Sequence, residues 1–309
     1  MSMDIRIGTI VRVAPGCDDY IRQILPHGFE SISLMFWQKT AGTDWERLAG
    51  QVREALDGSG AILNSIGVYG NPMEADGVEI LQGFEQAIDH AGDFGCDIVE
   101  GFTGRLRGVS MDGNREAYVK TWEPLAKRAA DKGVRIAFEN CAMGGTWSGG
   151  DWNLAHYPAA WEMMFNALPN ENMGLAWEPC HQVIKLIDPI PQIQVWKDRI
   201  FTVHGKDANV DWDHIRRHGV NTIVSDEAAT ICGIDRIPKF SMQRTPGYGD
   251  TDWRKVFTEL RLAGYSGCID IEGWHDRTFK GELEMTGQVS SLNYLKTCRG
   301  GDYTPNPTV

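Results

Sequence analysis

The chain of 309 residues is 42% hydrophobic and 23% charged, the balance of a soluble globular protein long enough to bury a substantial core. A formal net charge of −12 repels phosphate backbones and argues against nucleic acid as a partner, and no run approaches the roughly 18 consecutive apolar residues that a membrane span needs. Seven cysteines, odd in number and free of CxxC pairs, argue against a disulfide framework or structural zinc, and an N-terminus with neither a basic region nor a small-residue cleavage site fits a cytoplasmic protein.

Apolar, β-branched runs recur at 5–11, 29–37, 61–69, 96–102, 134–141, 172–180, 200–206 and 267–274. Stretches of helical periodicity lie between them: DWERLAGQVREALDGSG, DGVEILQGFEQAIDHAGDFG, NREAYVKTWEPLAKRAADKG and DWRKVFTELRLAGYSG each close in glycine, as a helix C-cap does. Alternation of strand and helix predicts parallel strands joined by crossovers, and eight such units predict an α/β protein of the (β/α)8 TIM-barrel type, whose working face is the C-terminal end of its strands. An open doubly wound sheet is the alternative, but no GxGxxG follows the first strand. Nothing resembling a linker divides the chain, so a single domain over 1–300 with a tail at 301–309 is expected. Inserts at 142–158 and 208–249 are long for a compact domain and should rise from the working face to cover or build a site.

Four of the runs finish on a group that a barrel strand otherwise avoids: Glu139 in IAFEN, Glu178 in LAWEP, His204 in TVHGK and Glu272 in IDIEG. Taken singly, each glutamate would read as a surface residue and the histidine as a core residue. Barrel closure would bring all of them to one ring, and three carboxylates with one imidazole match one divalent metal ion, with Mn2+ foremost and Mg2+, Co2+ or Zn2+ as alternatives. Without a cation, glutamates held so close would repel one another and take up protons.

The segments AFEN, GLAWEPCH and VHGKD, with GYGDTDW followed by IDIEG, resemble the xylose isomerase-like TIM-barrel superfamily in its sugar phosphate isomerase/epimerase branch. The likeness spans residues 134–276 and is weaker before them. It implies one divalent ion on Glu139, Glu178, His204 and Glu272, and a contact from His181 to a substrate hydroxyl. Departures are visible too: Glu178 stands where the family carries Asp, Gly145 where its ketose epimerases carry Glu, and Val210 where they carry Arg.

Around this core, Lys206, Asp207, Arg244, His275 and Glu100 are expected on the rim as substrate-binding groups, although surface salt bridges would account for most of them as well. His156 should reach the site from the first insert, whose MGGTWSGG lacks the lysine of a phosphate loop and reads as a lid or a substrate loop. Trp147 and Trp177, like Trp37 and Trp274, fall at or beside strand ends, where an indole can stack on a sugar ring or simply fill the barrel mouth. The expectation is a metal-dependent isomerase or epimerase acting on a keto-sugar or polyol derivative, with Glu139 and Glu272 moving a proton through an enediolate. A small-molecule carbohydrate is then the partner, and a homo-oligomer is compatible with the sequence. A lyase or dehydratase of inosose or 3-keto-glycoside type is the alternative chemistry, and a non-catalytic sugar-binding barrel the alternative class. An endonuclease of the same superfamily is disfavoured by the acidic charge.

Overall fold

The computed structural model describes residues 5–220 and 240–300. The first half of the chain forms β1 (Arg6–Arg12), α1 (Cys17–Ile24), β2 (Ser31–Trp37), α2 (Trp45–Leu56), β3 (Ile62–Tyr69), α3 (Val78–Phe94), β4 (Ile98–Gly101) and α4 (Arg115–Asp131). The second half continues with β5 (Arg135–Glu139), α5 (Pro158–Ala167), β6 (Met173–Trp177), α6 (Cys180–Ile184), α7 (Ile190–Val195) and β7 (Ile200–Gly205). It ends with β8 (Asp207–Val210), α8 (Trp212–His218), β9 (Ser241–Arg244), α9 (Trp253–Leu262), β10 (Cys268–Ile271) and α10 (Glu284–Arg299). The strands close in the order β1-β10-β7-β6-β5-β4-β3-β2, so the fold is the expected (β/α)8 TIM barrel, and each predicted run contains one barrel strand. The remaining strands, β8 and β9, pair antiparallel within the second insert, Asp207 opposite Arg244. Residues 221–239 of that insert and the tail at 301–309 lie outside the described residues.

Local chemistry accounts for the elements. Asp44, Asp211 and Asp252 accept hydrogen bonds from the backbone N–H of Arg47, His214 and Lys255, which starts α2, α8 and α9. Gly95, at φ 77°, ends α3 in the left-handed conformation. Outward-facing strand residues meet the helices: Trp122 of α4 packs edge-on to Phe138 of β5 at 4.6 Å and to Phe84 of α3 at 4.9 Å. Because side chains alternate along a strand, Phe138 facing out puts Glu139 inside.

The barrel interior beneath the mouth is polar, which a TIM-barrel core rarely is. The buried Asp270 of β10 accepts from Ser31 Oγ at 2.5 Å, Ser33 Oγ at 2.6 Å and Asn64 Nδ2 at 2.7 Å. Ser65 Oγ lies 2.6 Å from Ser33 Oγ and 2.9 Å from Glu100 Oε1, carrying the network up to β4. Glycine at position 8 makes the room, since a Cβ there would lie 2.2 Å from Ser31 Oγ and 2.3 Å from Asp270 Oδ1. Burial pushes the Asp270 carboxyl up to about 6, against the hydrogen bonds from Ser31, Ser33 and Asn64 that pull it down.

Candidate metal centre

The same alternation aims the functional side chains. Thr202, His204 and Lys206 follow one another at every second position of β7 and just beyond, and Asp270 and Glu272 do so on β10. At the strand ends, Glu139, Glu178, His204 and Glu272 each offer one donor atom within 4.8 Å of the others, and all of them are buried. Glu139 Oε2 stands 3.7 Å from His204 Nδ1. Asparagine side chains fix the carboxylate-bearing backbone. Asn140 donates from Nδ2 to Glu178 O at 2.8 Å and accepts from Glu178 N at 2.7 Å, and Asn153 of the first insert donates to Glu139 O at 2.7 Å.

His204 is oriented from behind. Its Nε2 meets Glu100 Oε2 at 3.2 Å, which leaves Nδ1 turned toward the cluster without a hydrogen-bond partner. A carboxylate behind an imidazole is how metal-binding histidines are commonly held. Both carboxylate oxygens of Glu178 are likewise buried and unpartnered, although His181 Nε2 stands 2.7 Å from Oε1. Buried acceptors without donors are costly, and a cation among them removes that cost, so the residues present fit a divalent ion.

Charges within the cluster set the titration. Burial raises Glu139 well above the usual carboxylate range, and repulsion from Glu178 and Glu272 adds to it. Glu272 goes the other way: burial opposes its charge, but the ammonium of Lys206, with Nζ 3.0 Å from Oε2, and His275 hold it well below that range. For His204 burial disfavours the imidazolium, yet Glu100, Glu139 and Glu178 raise it to about 10.

The structure separates the other sequence-predicted residues. Lys206 stands against Glu272, His181 against Glu178, and His275 Nδ1 lies 2.9 Å from Glu272 Oε1, so these three border the cluster. Glu100 is not a rim residue: it is fully buried inside the barrel, committed to Ser65 and His204. Asp207 is also off the rim, because its carboxylate accepts from Trp253 Nε1 at 3.0 Å and Thr251 N at 3.1 Å. Trp177 points the opposite way from Glu178 and is a core residue with its indole N–H on Gln182. Arg244 braces β9 against the loop after β10, donating to Asp276 Oδ2 at 2.9 Å.

Within the first insert, Trp147 is 39% exposed and donates to Asp112 at 3.1 Å, away from the cluster. His156 is buried beside Arg105, and burial, with help from Lys185 and Arg105, pushes it down to about 3. Neither residue joins the donor set. The motif reading passed over Asn140 and Asn153, and it passed over Arg105, which pins the first insert through the carbonyls of Thr146 and Trp147. Cys141 also lies closer than a core thiol should, falling with Glu139 and His181 inside the same 4.8 Å limit.

Beside the carboxylates stands an apolar wall of Ile10, Met35, Tyr69, Phe102 and Cys141, with Trp37, Trp152 and Trp274 packed against it. Trp37 and Trp152 stack at 5.7 Å and 13°. The Tyr69 hydroxyl is buried without a hydrogen-bond partner, and burial, then Glu100 and Glu139, pushes it well above its ordinary value. An apolar wall beside carboxylates suits a ligand that is polar on one face and carries C–H bonds on the other.

Known proteins share this architecture. The structure of the 3-keto-D-glucoside 4-epimerase YcjR from E. coli superposes with a TM-score of 0.68 at 16% identity, covering 96% of this chain and 100% of that one. D-allulose 3-epimerase from Methylomonas sp. gives 0.66 at 16% identity over 96% and 98%. The probable 3-DHS dehydratase AsbF from Bacillus anthracis gives 0.63 at 14% over 94% and 98%. Identities this low establish the fold and no more. No curated protein matches the sequence itself. A sequence model of the xylose isomerase-like TIM barrel, however, matches residues 21–298, nearly the whole barrel with its ring of strand-end donors, and the chain belongs to that family.

Proposed function

We propose that the protein is a divalent-metal-dependent isomerase or epimerase of a keto-sugar or polyol derivative. The observation that carries this reading is the buried ring of Glu139, Glu178, His204 and Glu272, with unpartnered donor atoms on Glu178 and His204. A bound ion would act as a Lewis acid that polarises a substrate carbonyl and acidifies the neighbouring C–H, with Mn2+ first in keeping with the oxygen-rich donors.

The chain's own residues do the rest. Glu139 and Glu272 approach the centre from separate strands, so one can remove a proton from one face of the substrate while the other returns a proton to the opposite face through an enediolate. Lys206 holds Glu272 in place, and His181 and His275 present ring nitrogens to substrate hydroxyls. The Tyr69 hydroxyl borders the same carboxylates, and the aromatic wall beside them would exclude water.

A lyase or dehydratase reading shares the enediolate and is favoured by one feature, the buried Lys206 ammonium beside Glu272, which can hydrogen-bond to a departing oxygen. Solved neighbours include both epimerases and a dehydratase. A non-catalytic sugar-binding barrel is the remaining reading, and turnover separates it from the other two.

The test is metal analysis of the purified protein, followed by a screen of keto-sugars and 3-keto-glycosides in D2O read by NMR. The expected outcome is one ion per chain, a higher melting temperature on adding Mn2+, and deuterium at the carbon beside the carbonyl. Absence of both metal uptake and turnover across the screen would overturn the proposal.

A further inference from the structure

A second cavity, of about 340 Å3, opens beside the barrel mouth between the loop after β1 and the start of α10. That is within the size range of small-ligand sites. Ile10 and Trp274 line it and also belong to the aromatic wall of the mouth, so the cavity and the candidate metal centre share a partition. Trp274 directly precedes His275, whose Nδ1 is 2.9 Å from Glu272, so the cavity borders the candidate metal centre.

The polar groups of this cavity are only partly used by the protein itself. The Arg12 guanidinium stacks over the Trp274 ring at 4.6 Å and makes no ion pair or hydrogen bond among the described residues, so the indole fixes its plane while its N–H fork stays free. Glu284 lines the same cavity and is held by Gln288, which donates to its Oε1 at 3.1 Å. Gln288 is buried against Thr9 of β1, so the carboxylate is positioned from within the barrel. Tyr20, 37% exposed, adds a phenol, and Pro15 adds an apolar edge.

An arginine fork, a carboxylate, a phenol and an apolar surface in one hollow match the donors, acceptors and C–H faces of a neutral polyhydroxyl ring. A phosphate fits poorly, because Glu284 would repel the dianion that Arg12 attracts. We infer that this cavity is a second subsite, which takes the sugar ring or polyol attached to the reacting keto-sugar, so that the substrate is a glycoside. The inference rests on the proposed function only for the word substrate, because the binding itself can be read without turnover.

The experiment is isothermal titration of the intact protein with cellobiose, maltose and sucrose, each against glucose. At least one disaccharide should bind about tenfold more tightly than glucose. Arg12→Ala and Glu284→Gln should each remove most of that preference, and Arg12→Lys, which keeps the charge but loses the planar fork, should restore little of it. Both side chains are at the surface of the cavity, and an unchanged melting temperature confirms that the variants fold. A disaccharide preference that persists while no keto-sugar turns over supports the subsite and removes only the reaction. Equal binding of all sugars, no binding at all, or a preference untouched by both variants overturns the subsite, whether or not the protein proves to be an enzyme.

Discussion

Where β2 and β3 end, in Trp37 and Tyr69 paired across the sheet, the barrel mouth is apolar; where β5, β6, β7 and β10 lead out, in Glu139, Glu178, His204 and Glu272, it is ionisable. Both sides use the same parallel strands and the same inward alternation. They differ in what holds the terminal residues, ring packing on one side and charge on the other. Trp37, Trp152, Tyr69 and Phe102 complete one another by burial and ring contacts, with Tyr69 and Phe102 edge-on at 5.0 Å. On the other side, burial and then carboxylate repulsion raise Glu139, and both Glu178 oxygens lack a hydrogen bond although His181 Nε2 stands 2.7 Å from Oε1. The aromatic side is held by apolar burial and leaves the Tyr69 hydroxyl unsatisfied, whereas the ionisable side leaves both oxygens of Glu178 and Nδ1 of His204 so, and a concentration of such groups marks a site of chemistry.

The largest effect expected from this division comes from the ionisable side. Glu272→Gln keeps the shape of the side chain but removes the basic oxygen that faces Lys206, and turnover of a keto-sugar substrate should fall by about 10²–10⁴-fold. The measurement is kcat at saturating metal, with the metal content of the variant determined alongside. A loss under about tenfold with metal still bound would remove Glu272 from proton transfer.

Next comes the residue behind His204. Because Glu100 holds the imidazole through Nε2 at 3.2 Å, Glu100→Gln should weaken metal affinity by about 10–100-fold while kcat at saturating metal changes less. A rim residue would change KM and leave metal affinity alone, so the two placements of Glu100 give opposite patterns. If the titration of Mn2+ into the variant matched the wild-type protein, the oriented-histidine account of this half of the mouth would be wrong.

How much of this was legible beforehand follows from what a strand pattern can encode. Runs such as ISLMFW and IAFE are β-branched, apolar and bounded by turns, so strand identity was readable, and closure then forced the strand-end donors together. Parity was readable too: Trp177 directly precedes Glu178 and must face the other way, which motif reading alone overlooked. Depth was not. Glu100 and Glu139 sit on adjacent strands, yet register places Glu100 opposite Ala137, one inward layer below Glu139, and that offset is a property of the barrel's stagger and not of either segment. Asp207 was hidden for a similar reason, since its partners Thr251 and Trp253 are supplied by the segment that follows the second insert.

The smallest effect belongs to the apolar side, and it is the one that tests whether the mouth divides at all. Trp37 stacks on Trp152 at 5.7 Å and 13°, and it meets Phe102 edge-on at 6.3 Å, so it shapes the wall without touching a donor atom of the metal cluster. Trp37→Ala should leave metal content as in the wild-type protein, because no ligand or asparagine clasp depends on the indole. What the substrate loses is an apolar face and some of the water exclusion it provides, which should appear as a rise in KM of about tenfold with a smaller change in kcat. The informative comparison is with Trp152→Ala, which removes the other member of the stack. If the two rings act as one surface, the double variant should raise KM little more than either single change, since each alone already breaks the stack. Loss of bound metal in either variant, or a fall in kcat as large as that of Glu272→Gln, would show that the aromatic side supports the carboxylates after all, and the two halves of the mouth would have to be treated as one site.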